Sequence, residues 1–112
     1  MNIINGFMHL ILLGATCDPY GIKREEKKKH FVNIIKHAEQ KNQDPYELLA
    51  IAITESSLKP SAYSHTKDVG LFQVNCRWWY KKFKYKNIKQ CESALKDPDL
   101  NIEKGIYILN HF

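Results

Sequence analysis

The sequence predicts a mostly α (α+β) domain, with helices gathered around a small β-hairpin or loop element, and three observations predict it. Apolar residues recur at helical three–four spacing in three segments, near residues 22–42, 45–59 and 101–110. Between the second and third lies a polar, turn-rich stretch over 60–68, followed by Val69-Gly70-Leu71-Phe72-Gln73-Val74-Asn75, which has strand character. The chain of 112 residues suffices for one domain with a modest core, but not for two.

Taken in order, residues 1–21 form an apolar N-terminal arm or an export signal, and residues 22–112 the folded domain. The run from Phe7 to Ala15 is far too short to span a bilayer. It has the length of a signal-peptide core, yet no Lys or Arg precedes it. The first helix, over 22–42, carries Phe31, Ile34, Ile35 and Ala38 on one face and charge elsewhere. Its Lys27-Lys28-Lys29-His30 block is expected on a solvated face, with a docking patch for an anionic polymer as the alternative.

The second helix starts cleanly. Asp44 can N-cap, Pro45 suits the first helical position, and Glu47 falls where a capping box places its acid. Leu48, Ile51 and Ala52 follow at helical spacing, and Lys59-Pro60 is expected to close the helix. Glu55, four residues after Ile51 and seven after Leu48, continues that apolar face. Burial there and the negative end of the helix dipole both favour the protonated carboxyl, which is what a general acid at neutral pH requires. The plainer alternative is a carboxylate that turns into water at a frayed helix end.

Beyond Asn75 come Arg77-Trp78-Trp79-Tyr80 and a lysine-rich aromatic stretch ending near Lys89. Asp97-Pro98-Asp99 is a turn and helix start, and a last helix over 101–110 aligns Ile102, Ile106 and Leu109. Trp78 and Trp79 are adjacent and cannot both face one way, so one is expected to be open for binding and the other to pack. Lys81, Lys82, Lys84 and Lys86 are expected to form a solvated surface, or to dock an anionic partner. Cys76 and Cys91 can close a loop worth about 3 kcal/mol if oxidised, or remain reduced buried thiols, and Cys17 is left unpaired. The histidines lack the close spacing of a metal site, so neither metal nor other cofactor is expected, and His30 and His37 are placed on the helix surface.

The net charge of +5 suits a polyanionic partner but does not choose among nucleic acid, anionic membrane and cell-wall polymer. No helix-turn-helix, zinc-finger or RNA-binding signature is present, so nucleic acid ranks last.

The spaced set Glu55-Ser56-x-x-x-Pro60-x-Ala62-x-Ser64, Gly70-Leu71-Phe72-Gln73 and Asn101-Ile102-x-x-Gly105 resembles the SLT-type lytic transglycosylases, over about residues 45–109. The resemblance implies a lysozyme-like fold. It also implies cleavage of peptidoglycan glycan strands between N-acetylmuramic acid and N-acetylglucosamine, leaving a 1,6-anhydro end. Glu55 would then act as general acid and afterwards as base, with Ser64 and Gln73 orienting the sugar. A second, overlapping resemblance is to c-type lysozymes. It covers Asp68-Val69-Gly70-Leu71-Phe72-Gln73-Val74-Asn75-Cys76-Arg77-Trp78-Trp79 and puts Asp68 in place of the second catalytic carboxylate. Asp68, Asn75, Trp78 and Trp79 join the substrate-binding candidates by that likeness.

The chain departs from the first family in having Ile108-Leu109 where a Tyr-Leu pair is usual, with Tyr107 one position early. It also ends at Phe112, ahead of an Ala-Tyr-Asn-x-Gly segment that many relatives carry, so part of the cleft wall is expected to be missing or supplied by another chain. The alternatives to a transglycosylase are a muramidase using Glu55 and Asp68, and a non-catalytic glycan-binding or structural module. The expected setting is the periplasm or cell wall. A phage enzyme, virion-borne or lytic, or a part of a secretion machine fits the size.

Overall fold

A computed structural model describes residues 23–111. The proposed arm over 1–21 and Cys17 lie outside the described residues. Among the described residues, five helices and one small sheet follow in order: α1 (Arg24–Gln40), α2 (Pro45–Ser56), β1 (Asp68–Val69), β2 (Val74–Asn75), α3 (Cys76–Trp79), α4 (Ile88–Ala94) and α5 (Pro98–His111). The arrangement is mostly helical with one antiparallel hairpin, as the periodicity predicts.

Helix α1 packs on α2 and on α5, and α5 also meets β2. Phe31, Ile34 and Ala38 from α1 meet Leu48, Leu49 and Ala52 from α2, and Ile102 and Ile106 of α5 complete the same core. Each such buried aliphatic or aromatic side chain contributes about 1.5–3 kcal/mol over an exposed one. Asp44 caps α2 by accepting from the Tyr46 N–H at 2.9 Å, with Pro45 at the first position. Asp97 does the same for α5, its Oδ2 accepting from the Leu100 N–H at 3.0 Å.

Several expectations are revised. Helix α2 ends before Lys59-Pro60: Ser57 and Leu58 both adopt left-handed backbone, with φ of 51° and 62°. That reversal drives Leu58 into the core, where it is fully buried. The run over 69–75 is not one strand but a tight hairpin. Asp68 pairs with Asn75 and Val69 with Val74, and Gly70 and Gln73 carry the positive φ values (81° and 51°) that turn the chain between them. A side chain on Gly70 would also come within 2.7 Å of the Leu95 carbonyl oxygen, so the position needs glycine twice over. Lys27 and His30 are buried rather than solvated. Burial holds the His30 imidazole below its usual pKa, with the Glu26 carboxylate 3.5 Å away acting in the opposite direction. His37 is half-buried and bonds Asp99 across the α1–α5 contact at 2.8 Å.

Cys76 and Cys91 are disulfide-bonded, with Cα atoms 5.9 Å apart, which settles the choice the sequence left open. The bond ties the start of α3 to α4, a short helix that the sequence does not announce.

Candidate active site

The site begins with the way the end of α2 is fastened. The buried stripe of this helix is Leu48, Leu49, Ala52 and Ser56. At about 100° per residue its centre lies about 70° from Glu55, which is therefore on the flank and not on the stripe. Glu55 is exposed accordingly, and among the described residues no hydrogen bond or ion pair engages it. The burial expected of this carboxylate from sequence is absent. Its neighbour Ser56 is 1 % exposed, and its Oγ lies 2.8 Å from the Leu71 carbonyl oxygen and 2.9 Å from that of Ala52. The single hydroxyl proton is shared between the two acceptors. Ser56 thus fixes the last turn of α2, and Glu55 with it, to the hairpin turn.

The same turn is held from the other side by Asn101, which is completely buried. Its Oδ1 accepts from the Phe72 N–H, and its Nδ2 donates to the carbonyls of Val69 and Leu95, all at 2.8 Å. One amide joins the turn, the segment after α4 and α5, with its donors and acceptor in use. The Gly105 backbone lies against the Phe72 ring, whose Cγ would be 2.7 Å from any Cβ there. Ser56 and Asn101 belong to the spaced motif, yet sequence alone assigned neither a role.

Between α2, the hairpin and α5 runs a groove of about 200 Å³, lined by Ile51, residues 72–75, Trp79, Gly105, Ile108 and Leu109. Ile51, which lines the groove, stands one turn before Glu55 on the same flank of α2, and Glu55 itself is not among the lining residues. Gln73 and Asn75 line it. The Gln73 Nε2 donates to the carbonyls of Ala62 and Gly70, both at 3.1 Å, which holds the side chain despite its left-handed backbone. Asn75 donates through Nδ2 to Asp68 Oδ1 at 2.9 Å, and its own Oδ1 is buried without a partner among the described residues.

Asp68 and Ser64 lie one step back from the groove. The Asp68 Oδ2 accepts from Thr66 at 2.7 Å and from Ser64 at 3.3 Å, and Ser64 Oγ accepts the Asp68 N–H at 3.1 Å. These bonds build the loop that carries β1. Trp79 stacks on Phe83 with ring centres 5.5 Å apart and meets Tyr107 and His111 edge-on, whereas Trp78 is 82 % exposed. One tryptophan packs and the other is open to solvent.

A larger hollow, about 380 Å³, lies on the opposite side of α5 between Lys41, Glu103, Lys104, Tyr107 and His111. It contains none of the motif residues, and size does not outweigh the convergence of Phe72, Gln73 and Gly105 of the motif on the smaller groove. Among the described residues no cluster of His, Cys, Asp and Glu could hold a metal ion, and no helix is long and apolar enough to cross a membrane.

Comparison with known proteins adds one finding. Residues 32–112 match the family described as the transglycosylase SLT domain. No curated protein matches the chain.

Proposed function

Because the chain belongs to the transglycosylase SLT domain family, and with it to the lysozyme-like fold, we propose that it is a peptidoglycan lytic transglycosylase in which Glu55 is the catalytic acid and base. The family supports a peptidoglycan-acting function of the lytic-transglycosylase type in general. The assignment of residues is our own reading.

The observation that supports it is the Ser56 tie, which anchors the last turn of α2, the turn that carries Glu55, to the Leu71 carbonyl two residues before Gln73. In the reaction, the Glu55 carboxyl gives its proton to the bridging oxygen and the bond from that oxygen to the anomeric carbon breaks. The resulting carboxylate then takes the proton of the sugar's own 6-hydroxyl as that oxygen bonds the anomeric carbon. The 1,6-anhydro ring closes, the proton is back on Glu55, and no water is consumed. Trp78 offers an open ring to a sugar face.

The muramidase alternative needs Asp68 at the anomeric carbon. Its two oxygens already accept from Asn75, Thr66 and Ser64, which favours a scaffold role. The place of action follows from the substrate, in the periplasm or wall, reached on a virion or through a secretion machine.

Mass spectrometry of digested peptidoglycan tests the reading. Anhydro-ended products are expected, and Glu55→Gln should remove turnover by about 100-fold or more while leaving the fold and melting temperature unchanged. Reducing ends carrying an added water would favour the muramidase, and full activity in the Glu55→Gln chain would refute the role of Glu55.

A further inference from the structure

The loop closed by the disulfide holds the chain's entire positive excess. Between Cys76 and Cys91, residues 77–90 carry six cations (Arg77, Lys81, Lys82, Lys84, Lys86 and Lys89) and no acid. The whole chain has 17 basic and 12 acidic residues, so the remainder has 11 against 12 and a net charge of −1. All six cations are exposed. Among the described residues no carboxylate pairs with any of them, and Lys81 alone has an aromatic partner, the Tyr80 ring at 5.9 Å. Like charges gathered without counter-charges repel one another and weaken the fold, so their concentration in one bonded loop calls for an anionic partner.

The position of the loop and its residue type narrow the partner. The loop leaves directly from Asn75 and contains Trp79, both of which line the groove, and the exposed Trp78 stands at its start. A polymer lying along the groove would continue across it. Five of the six cations are lysines, point charges on flexible stems, which suit repeated and movable acids better than the planar, paired recognition of which Arg is capable. We propose that this loop is a docking surface for the carboxylates of the peptide branches on the glycan strand. The proposal rests on the reading of the substrate above. It adds that the chain grips the branches electrostatically while the groove takes the sugars.

Co-sedimentation with insoluble peptidoglycan sacculi tests it, using the full chain with Glu55→Gln to prevent digestion. The sacculi are acid-extracted to remove phosphate polymers, and one portion has its carboxylates converted to neutral amides. Retention should fall roughly tenfold on amidation and on raising salt. The K82Q/K84Q/K86Q/K89Q loop variant, checked for an unchanged melting temperature, should bind both preparations at the weaker level. Equal retention on native and amidated sacculi overturns the proposal. So does strong binding only where phosphate polymer is left in place, or displacement by single-stranded DNA at lower concentration than by soluble peptide-bearing fragments. Product analysis with the Glu55 chain on the same sacculi is read separately: lack of anhydro ends refutes the catalytic reading, whereas the charge-dependence of retention judges the loop.

Discussion

Replacing Asn101 by Asp changes one atom of the site's central tie and leaves its volume almost unchanged, so no cavity confuses the result. The Oδ1 contact to the Phe72 N–H can persist, but the donor that served Val69 and Leu95 becomes an oxygen facing two carbonyl oxygens in a fully buried position. Each buried group left without its partner costs about 1–3 kcal/mol, so two cost about 2–6. That is a large share of the roughly 5–15 kcal/mol that holds a domain folded. The loss should also depend on pH. A protonated carboxyl can donate to one of the two carbonyls, whereas the carboxylate cannot, so burial raises the folded-state pKa of the introduced group above its unfolded value of about 3.9. The folded state then binds more protons than the unfolded one. Stability should fall as pH rises from the unfolded value to the folded one, by up to about 1.4 kcal/mol per pH unit, and level off above it. Urea unfolding followed by tryptophan fluorescence from about pH 4 to 8, against the parent chain, measures both effects. A midpoint equal to the parent's, or a deficit that does not grow with pH, would refute the account of Asn101 as a buried three-way tie.

Three further outcomes are expected. Ser56→Ala should cost about 1–2 kcal/mol by unfolding, because the buried Leu71 carbonyl loses its donor, and should lower kcat more than it raises KM; an unchanged kcat would separate Ser56 from the placement of Glu55. Reducing the Cys76–Cys91 bond should lower stability by about 3 kcal/mol, read as a shift in denaturant midpoint with and without a thiol; coincident curves would contradict it. Asp99, whose carboxyl is held below its ordinary value of 3.8 chiefly by the hydrogen bond with His37 and then by that from Asn33, releases its proton more readily folded than unfolded. The advantage of the parent over Asp99→Asn should be present above that ordinary value and vanish as pH falls through the folded one. It should be small because Asp99 is largely exposed. A gap that widens in acid would reverse the assigned sign.

The helices were legible because their signals are local. Asp44-Pro45 marks the start of α2, and Ile102 and Ile106 mark the inner face of α5. The hairpin was only half legible. Val69 and Val74 have the right character, but nothing local says that Gln73 will take a positive φ, since the bonds from its amide to Ala62 and Gly70 form only after the turn has closed. The face of Glu55 is misleading in the sequence for a related reason. The apolar period runs through Ile51, whereas Ser56, a polar residue, occupies the buried face because the Leu71 carbonyl is there to receive it. Polar residues buried by long-range partners, Ser56 and Asn101 among them, leave no trace in a hydrophobic period. Helix α4 was missed because seven residues are too few for a period to declare itself.

The bond between Cys76 and Cys91 gives this chain two grades of durability from one sequence, chosen by the thiol potential around it. In a reducing interior the strip of lysines and aromatics is fastened only by its packing. In an oxidising exterior it becomes a closed ring whose ends are anchored beside the groove. A chain made in the first environment and moved to the second would reach its firmest state on arrival.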